Sequence, residues 1–593
     1  MPDRPNLPPY SAPAEAGQNG ESTLAQSGTT SGRPRNRGRR VVVAGIGGAV
    51  VVFGFAAVAF SGGLAASKGH TQPSAGGPAV TQSTASTPSS PEATRRAYAP
   101  FDRPEYVQNP SLAGATGAVE ATTVKVSADE SGASMVEGMM GFSFEADVMA
   151  DPRFEPGAST FVEELRKLHK PVVRFGGQAV DRRFFWTSTN EPIPADWKLV
   201  PAFTGDKRPI VKVTPADLQR LSRMAIAADA RILLTADLGH YDPARAADLA
   251  KNAAAILGDR LLGVTVGNEP NGYYVEGNQY LTLRPKGWDE AKFLGEFKAY
   301  AAEIKKAAPT VKLVGPGSYD IDWLKAYTGV RDQQVGAVSY HHYPMSGCGG
   351  PGDPNGPTVG RTMSRERSDL NRKFLGKIAA VAKGADLPLW LTEGGLSACS
   401  GSNETARKHV SALWTAGYAL MAAQSGVTQL DVHSAIDACR GGPPASPVCD
   451  TGGYKKPNGV IVGQANYAGM MLVSALKPGK FQVLDQSGSP DVYSYAIAHD
   501  DGSLSVVIVN QNDPAKFGQA PVRIQLPQAA ATGTMSQMTA PTFESEALTR
   551  IDGRLDAGVP AEERAKIPGF VPGVDSVSLP LTSGTATVLN FTF

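Results

Sequence analysis

Between about residues 135 and 476 the chain alternates short apolar runs with longer amphipathic or alanine-rich stretches. Short apolar runs are typical of buried parallel strands, and the stretches between them are typical of helices. The expected strands are 139–144, 172–175, 232–236, 262–267, 312–315, 337–340, 389–392 and 429–432. The expected helices include 161–169, 216–228, 244–256, 289–308, 364–383 and 404–425. Eight strand–helix units predict an α/β fold, a (β/α)8 or TIM barrel over residues 135–476, with its functional residues at the carboxyl ends of the strands.

The texture of the sequence changes after residue 477. Alternating polar and apolar segments at 492–498, 504–509, 522–526 and 586–593 are separated by glycine, proline and aspartate turns. This pattern predicts an antiparallel β-sandwich domain over residues 477–593. The segment 121–127 also alternates, so we expect residues 118–134 to form a strand that joins this domain before the barrel begins.

The N-terminal region predicts a membrane anchor. Residues 1–40 are polar and end in five arginines, and residues 41–66 that follow carry no charged side chain. We expect a disordered cytoplasmic tail over 1–40, a transmembrane signal anchor over 41–66 and a flexible linker rich in Ser, Thr, Pro and Gly over 67–117. The rest of the chain then lies outside the cytoplasm at the cell membrane, or is secreted if the loose small-residue site at 63–66 is cleaved.

The four cysteines all follow this segment, in a compartment where disulfides persist. We expect Cys439 to pair with Cys449 and Cys348 with Cys399. A zinc site is the alternative, although no C-x-x-C spacing supports it. A net charge of +1 argues against a general nucleic-acid binder, and we expect a monomer.

Two glutamates stand directly after buried apolar runs. Glu269 follows the fourth run within Asn268-Glu269-Pro270, and Glu393 follows the seventh. A single glutamate in such a place is commonly a cap or a surface ion pair. Here the stretch between the two glutamates is long enough for about three strand–helix units. Two glutamates at that spacing predict the carboxyl pair that cleaves a glycosidic bond.

The motifs at the strand ends resemble those of a known group of enzymes. Val-Gly-Asn-Glu-Pro at the fourth strand and Leu-Thr-Glu-Gly at the seventh resemble the clan A retaining glycoside hydrolases. Gly-Phe-Ser-Phe-Glu ending at Glu145, Val-Arg-Phe-Gly-Gly ending at Gly177 with Asp181, and Tyr-His-His-Tyr ending at Tyr343 are similar to the heparanase and β-glucuronidase family, glycoside hydrolase family 79. The likeness spans roughly residues 118–593.

The resemblance implies a role for each carboxylate. Glu269 is expected to be the general acid/base and Glu393 the nucleophile, about 5 to 5.5 Å apart as in retaining enzymes. Glu269 should have the higher pKa, because the acid must keep its proton beside an ionised partner. Asn268 would donate to the sugar 2-hydroxyl, or else only cap the following helix. Tyr343 would hydrogen-bond Glu393.

Further candidates for the substrate site lie on the same strand ends. Glu145 would contact the hydroxyls of a terminal sugar, and Gly176 and Gly177 would let the backbone approach it. Arg174 is expected beneath the carboxylates. The remaining candidate, His341, adjoins His342, but neighbouring strand residues point to opposite faces, so we expect no metal and no other cofactor.

One departure from the family leaves the sugar open. A tyrosine that family members with uronic acid substrates carry a few residues after the nucleophile is absent here, where Ser397, Ser400 or the backbone near Gly401 would have to replace it. The sequence predicts a retaining β-glycosidase that acts on terminal β-glucuronides or related carbohydrates, as heparanase-like enzymes do. The alternatives are an enzyme for a neutral glucoside, xyloside or arabinofuranoside, and a non-catalytic carbohydrate-binding protein of the cell surface.

Overall fold

The structure is a computed structural model that describes residues 103–108, 115–195, 197, 209–277, 282–331, 333–345, 353, 355–398, 404–437, 439, 446–453 and 456–593. The predicted tail, the membrane segment 41–66 and the expected Cys348–Cys399 pair lie outside the described residues. Within those ranges, no helix is both long and apolar enough to cross a bilayer.

The centre of the molecule is a closed barrel of parallel strands. In chain order the first strands are β1 (Thr122–Met135), β2 (Met140–Glu145), β3 (Val172–Gly176), β4 (Phe184–Trp186), β5 (Val211–Val213), β6 (Arg231–Ala236), β7 (Leu261–Val266), β8 (Leu313–Ser318), β9 (Val335–His342), β10 (Leu389–Gly394) and β11 (Val427–His433). The barrel consists of β2, β3 and β6 to β11, and every ladder between them is parallel. The eight predicted strands are confirmed. β4 and β5 form a separate short pair.

Helices cover the outside of the barrel. They are α1 (Phe161–Arg166), α2 (Pro215–Ala228), α3 (Pro243–Leu257), α4 (Glu290–Ala307), α5 (Ile321–Thr328), α6 (Val359–Thr362), α7 (Arg365–Gly384), α8 (His409–Gln424) and α9 (Ala465–Ser474). Side-chain caps fix several of the starts: Thr214 and Asp217 form a capping box before α2, and Asp242 and Asp289 cap α3 and α4. α8 is buried on nearly all faces, because it lies between the barrel and the C-terminal sheet.

The C-terminal part is rich in β-structure. Its strands are β12 (Val448–Asp450), β13 (Ile461–Gly463), β14 (Gly479–Ser487), β15 (Val492–Ala498), β16 (Leu504–Asn510), β17 (Gln519–Ala530), β18 (Thr532–Thr539), β19 (Arg550–Ile551), β20 (Val574–Thr582) and β21 (Thr585–Thr592). β12 and β13 pair with each other, and the rest form one sheet with β1, in the order β19-β18-β21-β16-β15-β14-β1-β17-β20.

This sheet differs in detail from the predicted antiparallel β-sandwich. Its nine strands are continuously hydrogen-bonded, and β1 pairs antiparallel with β14 but parallel with β17. The parallel pair arises because β1 enters from the start of the chain, before the barrel, rather than through a hairpin. The apolar side chains of β1 pack in one buried cluster with side chains from strands on both sides of it in the sheet. The cluster includes Val124, Ile508, Ile524 and Leu589.

Candidate active site

The two glutamates singled out by the sequence meet at the carboxyl ends of β7 and β10. One carboxylate oxygen of Glu269, one of Glu393 and a ring nitrogen of His341 all lie within 4.8 Å of one another. Both carboxylates therefore face the same small space above the barrel, close enough to act on one bond.

A local backbone arrangement turns Glu269 toward that space. Its φ of 50° and ψ of 53° are left-handed, which is uncommon for a residue other than glycine. Two features stabilise this backbone conformation. The Glu269 N–H donates to the Gly317 carbonyl at 2.9 Å, and Pro270 begins a 3-10 turn directly after it. Left-handed backbone at such a residue is characteristic of functional sites, where the surrounding structure enforces it.

Asp181 holds the backbone of Asn268, the residue that precedes Glu269. One oxygen of the buried Asp181 carboxylate accepts the Asn268 N–H at 2.9 Å, and the other accepts the N–H groups of Leu238 and Gly239. Burial, followed by the nearby charge of Asp237, raises the pKa of Asp181 to about 6. Asp181 thus ties together the loops that follow β3, β6 and β7.

Arg174 lies beneath the carboxylates and is fully buried. Its guanidinium donates to Glu393 Oε2 at 2.9 Å, to Asn268 Oδ1 at 2.7 Å and to the Ser143 hydroxyl at 2.6 Å. Although the sequence placed Arg174 among the substrate-site candidates, its complete burial leaves the guanidinium in contact with the two site residues. It supplies a positive charge below the nucleophile candidate and orients the Asn268 amide.

The neighbouring histidines of β9 point in opposite directions. His341 is buried, and its Nδ1 lies 3.0 Å from Glu269 Oε1 and 4.0 Å from Glu393 Oε2. His342 points outward, hydrogen-bonds Tyr418 and stacks on Phe374. Burial lowers the pKa of His342 to about 3, so that ring stays neutral.

Glu269, His341 and Glu393 would be the ligands if a metal ion bound here, since each offers one ligand atom. The guanidinium of Arg174 already lies 2.9 Å from Glu393 Oε2. A cation in this space would be repelled by that charge and would have to break the contact between His341 and Glu269. The arrangement suits a carboxyl pair better than a metal centre.

Tyr343 holds the other oxygen of Glu393. Its hydroxyl donates to Glu393 Oε1 at 2.8 Å and lies 3.0 Å from Nδ1 of His433, the last residue of β11. Burial, followed by the charges of Glu393 and Glu269, raises the pKa of Tyr343 well above its ordinary value, so the phenol keeps the proton that it donates.

The pKa of Glu393 is held low by these neighbours. Burial alone would raise it, but the charges of His341, His433 and Arg174 and the hydrogen bond from Tyr343 outweigh burial and lower the pKa well below its ordinary value. Glu393 is therefore ionised, as a nucleophile must be.

Glu145, at the end of β2, completes the rim. One of its oxygens accepts the Ala179 N–H at 2.7 Å, and the other lies 3.9 Å from His433 Nε2. Burial, opposed by Arg183 and reinforced by Asp147, raises the pKa of Glu145. Gly177, at a φ of +65°, packs so closely that a Cβ would lie 2.4 to 2.6 Å from the Glu145 carboxyl atoms.

A small cavity lies beside Glu269. Besides Asn268 and Glu269, it is lined by Gln178, Asp181, Arg182, Gly272, Tyr273, Val275, Leu283 and Tyr319. The lining mixes a cation, two carboxylates, amides, phenols and apolar side chains, and the enclosed space has room for little more than a water molecule.

The sequence missed His433 and Ser143 as site residues. His433 directly follows the eighth apolar run, as Glu393 directly follows the seventh, so the sequence contained the signal for it. Ser397, proposed as a substitute for the missing tyrosine, is fully buried, and residues 399–403 lie outside the described residues. After β11, Cys439 and Cys449 of β12 form a disulfide, the pairing expected from the sequence.

Comparison by sequence finds no matching family model and no matching curated protein. Comparison by structure finds solved proteins of the same architecture. A 4-O-α-L-rhamnosyl-β-D-glucuronidase from Fusarium oxysporum matches with a TM-score of 0.55 at 16% identity, over 82% of this chain and 99% of the other. A family 51 arabinofuranosidase from Xanthomonas axonopodis pv. citri matches with a TM-score of 0.56 at 12% identity, over 80% and 100%. The bifunctional glucanase-xylanase CelM2 from a metagenome library matches with a TM-score of 0.52 at 14% identity, over 82% and 100%. The chain therefore shares its fold, barrel and C-terminal sheet together, with proteins named as glycosidases.

Proposed function

We propose that this protein is a retaining β-glycosidase in which Glu393 is the nucleophile and Glu269 the general acid/base. The observation that carries the proposal is the approach of the two carboxylates to within 4.8 Å at the mouth of the barrel. Retaining enzymes hold the pair about 5 to 5.5 Å apart, whereas inverting enzymes leave room for a water molecule between more distant groups. The low pKa of Glu393 and the contacts from Arg174 and Tyr343 support its role as nucleophile.

In the first step Glu393 attacks the anomeric carbon while Glu269 protonates the leaving oxygen, which gives a covalent glycosyl-enzyme. Water, activated by Glu269 acting as a base, then releases the sugar with its anomeric configuration retained. Asn268, oriented by Arg174 through its Oδ1, has its amide nitrogen available to donate to the sugar 2-hydroxyl. Such a bond strengthens as charge develops at the anomeric carbon.

The experiment is hydrolysis of a panel of 4-nitrophenyl β-glycosides, with Glu393→Gln and Glu269→Gln compared with the wild type. Each substitution should lower kcat/KM by about 10³-fold or more, since it removes a group that reacts in the transition state. Glu303→Gln on the exposed side of α4 is the matched control and should retain activity. A 2-deoxy-2-fluoro glycoside should release its aglycone and add the mass of its 2-fluoroglycosyl group to the wild type and not to Glu393→Gln. Undiminished hydrolysis by Glu393→Gln would overturn the assignment of the nucleophile. Glycan binding without hydrolysis by the wild type would instead support a carbohydrate-binding protein.

Among substrates we favour a terminal β-glucuronide. The likeness to a glucuronidase supports an acidic sugar. The arabinofuranosidase relatives and the missing tyrosine favour a neutral sugar as the second candidate. The ratio of kcat/KM for 4-nitrophenyl β-glucuronide to that for the glucoside, xyloside and arabinofuranoside decides between them, and a ratio below one rejects the glucuronide.

We also propose that residues 41–66 anchor the protein with its catalytic part outside the cytoplasm. The uncharged segment after five arginines and the Cys439–Cys449 disulfide, which persists in oxidising compartments, support this location. Membrane fractionation and protease treatment of intact cells test it. Recovery of the chain in the cytosolic fraction with both thiols reduced would contradict it.

A further inference from the structure

A chain of four side chains crosses the barrel mouth from Glu145 to the nucleophile. Glu145 Oε1 lies 3.9 Å from His433 Nε2, His433 Nδ1 lies 3.0 Å from the Tyr343 hydroxyl, and that hydroxyl donates to Glu393 Oε1 at 2.8 Å. Three barrel strands and the loop after β9 contribute these groups, so the chain is fixed by the barrel itself.

The hydrogen count determines the direction of each bond. An ionised Glu393 can only accept, so the single hydroxyl hydrogen of Tyr343 is committed to it. The contact between Tyr343 and His433 then requires that Nδ1 of His433 carry a hydrogen. With Nδ1 protonated, a neutral ring would present the bare Nε2 lone pair to Glu145. One further proton, on Nε2 or on Glu145, removes this conflict.

We propose that His433 is a positioning residue for the nucleophile: its Nδ1–H holds Tyr343 as a donor to Glu393. One proton, carried either by Nε2 or by Glu145, which lie 3.9 Å apart and are not hydrogen-bonded, maintains that direction. The inference rests on the glycosidase function proposed above. Loss of this proton favours the other tautomer, in which Nε2–H faces the Glu145 carboxylate and Nδ1 becomes an acceptor. Tyr343 then donates to His433 instead of Glu393, and the nucleophile loses one of its two anchors.

The surrounding charges favour retention of this proton. Glu145 faces Asp147 and Glu393 as well as His433, and Arg183 on the loop after β3 opposes their effect. Around Glu393 lie His341, Arg174 and Tyr343, with Glu269 on the opposite side of the space. Burial of Glu145 raises its pKa, which is the direction that favours a proton on the pair.

The test is the pH dependence of kcat/KM for a 2,4-dinitrophenyl β-glycoside of the sugar that the full-length protein hydrolyses. This leaving group departs without protonation, so the profile is freed from the requirement for Glu269 as an acid and reports nucleophilic attack. We expect kcat/KM of the wild type to fall by about tenfold or more at alkaline pH, because the nucleophile then loses one hydrogen bond to its charged carboxylate.

His433→Asn places an amide nitrogen where Nδ1 stands and cannot titrate. We expect its profile to stay flat where that of the wild type falls, whereas His433→Leu, of similar size, should be low at every pH. Tyr343→Phe should also lose the alkaline fall, because the change of tautomer at His433 acts on Glu393 only through the Tyr343 hydroxyl. The readout is the ratio of kcat/KM at pH 6 to that at pH 9 within each variant, which is insensitive to the amount of folded protein.

The result that overturns the inference is an alkaline fall in His433→Asn or Tyr343→Phe with the wild-type midpoint, or no fall in the wild type. Glu393→Gln separates the two proposals. If that variant keeps its activity, the proposed function fails. If it is inactive while His433→Asn behaves as the wild type, the glycosidase stands and only the role of His433 is lost.

Discussion

Replacing Arg174 by methionine removes the guanidinium that lies beneath Glu393. The side chain is fully buried and donates to both Glu393 and Asn268. Methionine fills similar space without charge, so Glu393 would keep its burial but lose the charge that offsets it. We expect this substitution to raise the pKa of Glu393 and to release the Asn268 amide.

The magnitude follows from the two broken contacts. A hydrogen bond to a charged group contributes about 1.5–3 kcal/mol. Two such bonds lost from the transition state correspond to a fall in kcat/KM of about 10²-fold or more. Breaking a buried ion pair destabilises a protein by about 3–5 kcal/mol, so the free energy of unfolding should also decrease.

The pH profile separates an electrostatic role from general loss of folding. Because the folded-state pKa of Glu393 lies below its unfolded value, its ionised form is maintained as pH falls until that low pKa is reached. In Arg174→Met the acidic limb of kcat/KM should therefore begin at a higher pH than in the wild type. The assay is kcat/KM between pH 3 and 8, with unfolding measured by denaturant on the same samples.

Arg231→Met is the matched control. Arg231 begins β6 at the opposite end of the barrel, where its guanidinium contacts the Gly138 carbonyl, and burial lowers its pKa. This variant should lose stability and leave the acidic limb unchanged. An acidic limb in Arg174→Met that coincides with that of the wild type would refute the argument that Arg174 keeps Glu393 ionised.

Three further predictions concern positions around the barrel. Gly177→Ala forces a Cβ into the Glu145 carboxyl group at a left-handed backbone position, so it should destabilise the fold by ~1 kcal/mol or more in thermal unfolding and raise KM. Cys439→Ser opens the disulfide to Cys449 and should lower the free energy of unfolding by about 2–3 kcal/mol in denaturant. A reductant should destabilise the wild type by about that amount more than it destabilises the variant. His409 is buried, and burial lowers its pKa to about 4, so the unfolded state takes up a proton that the folded state does not. Between pH 6.5 and 4 this residue should make the free energy of unfolding fall by about 1.4 kcal/mol per pH unit. His409→Asn should reduce that slope in denaturant unfolding.

The barrel strands were predictable because a parallel sheet covered on both faces requires continuous apolar runs. The C-terminal sheet was predicted less completely. β14 has mostly polar residues in its second half, and β20 contains Pro580, which the sequence pattern counts against a strand. Its position at the edge of the sheet accommodates the proline, since an edge strand need not donate every N–H. The edge position is a property of the topology and is not encoded locally.

The site was predictable to the extent that each residue ends a strand. Glu269 and Glu393 were found this way, whereas Tyr343 was found through the resemblance of its motif. The strand-end rule would also have found His433. The left-handed backbone at Glu269 was not predictable, because it depends on a hydrogen bond to Gly317 from the next strand along the barrel. Likewise, the contact of Arg174 with Asn268 depends on the closure of the barrel rather than on spacing in the sequence.

The two carboxylates are restrained to different extents, and the difference matches what double displacement requires. Glu393 is bonded by Arg174 and Tyr343 on separate oxygens, and its side chain is 8% exposed. Glu269, bonded through His341, is 17% exposed. A nucleophile must present one fixed oxygen to the anomeric carbon in both steps, whereas an acid/base must lose a proton in the first step and regain it by the end of the second. In the proposed mechanism, the greater exposure of Glu269 would give water access to the base, and the two anchors of Glu393 would preserve the geometry of attack.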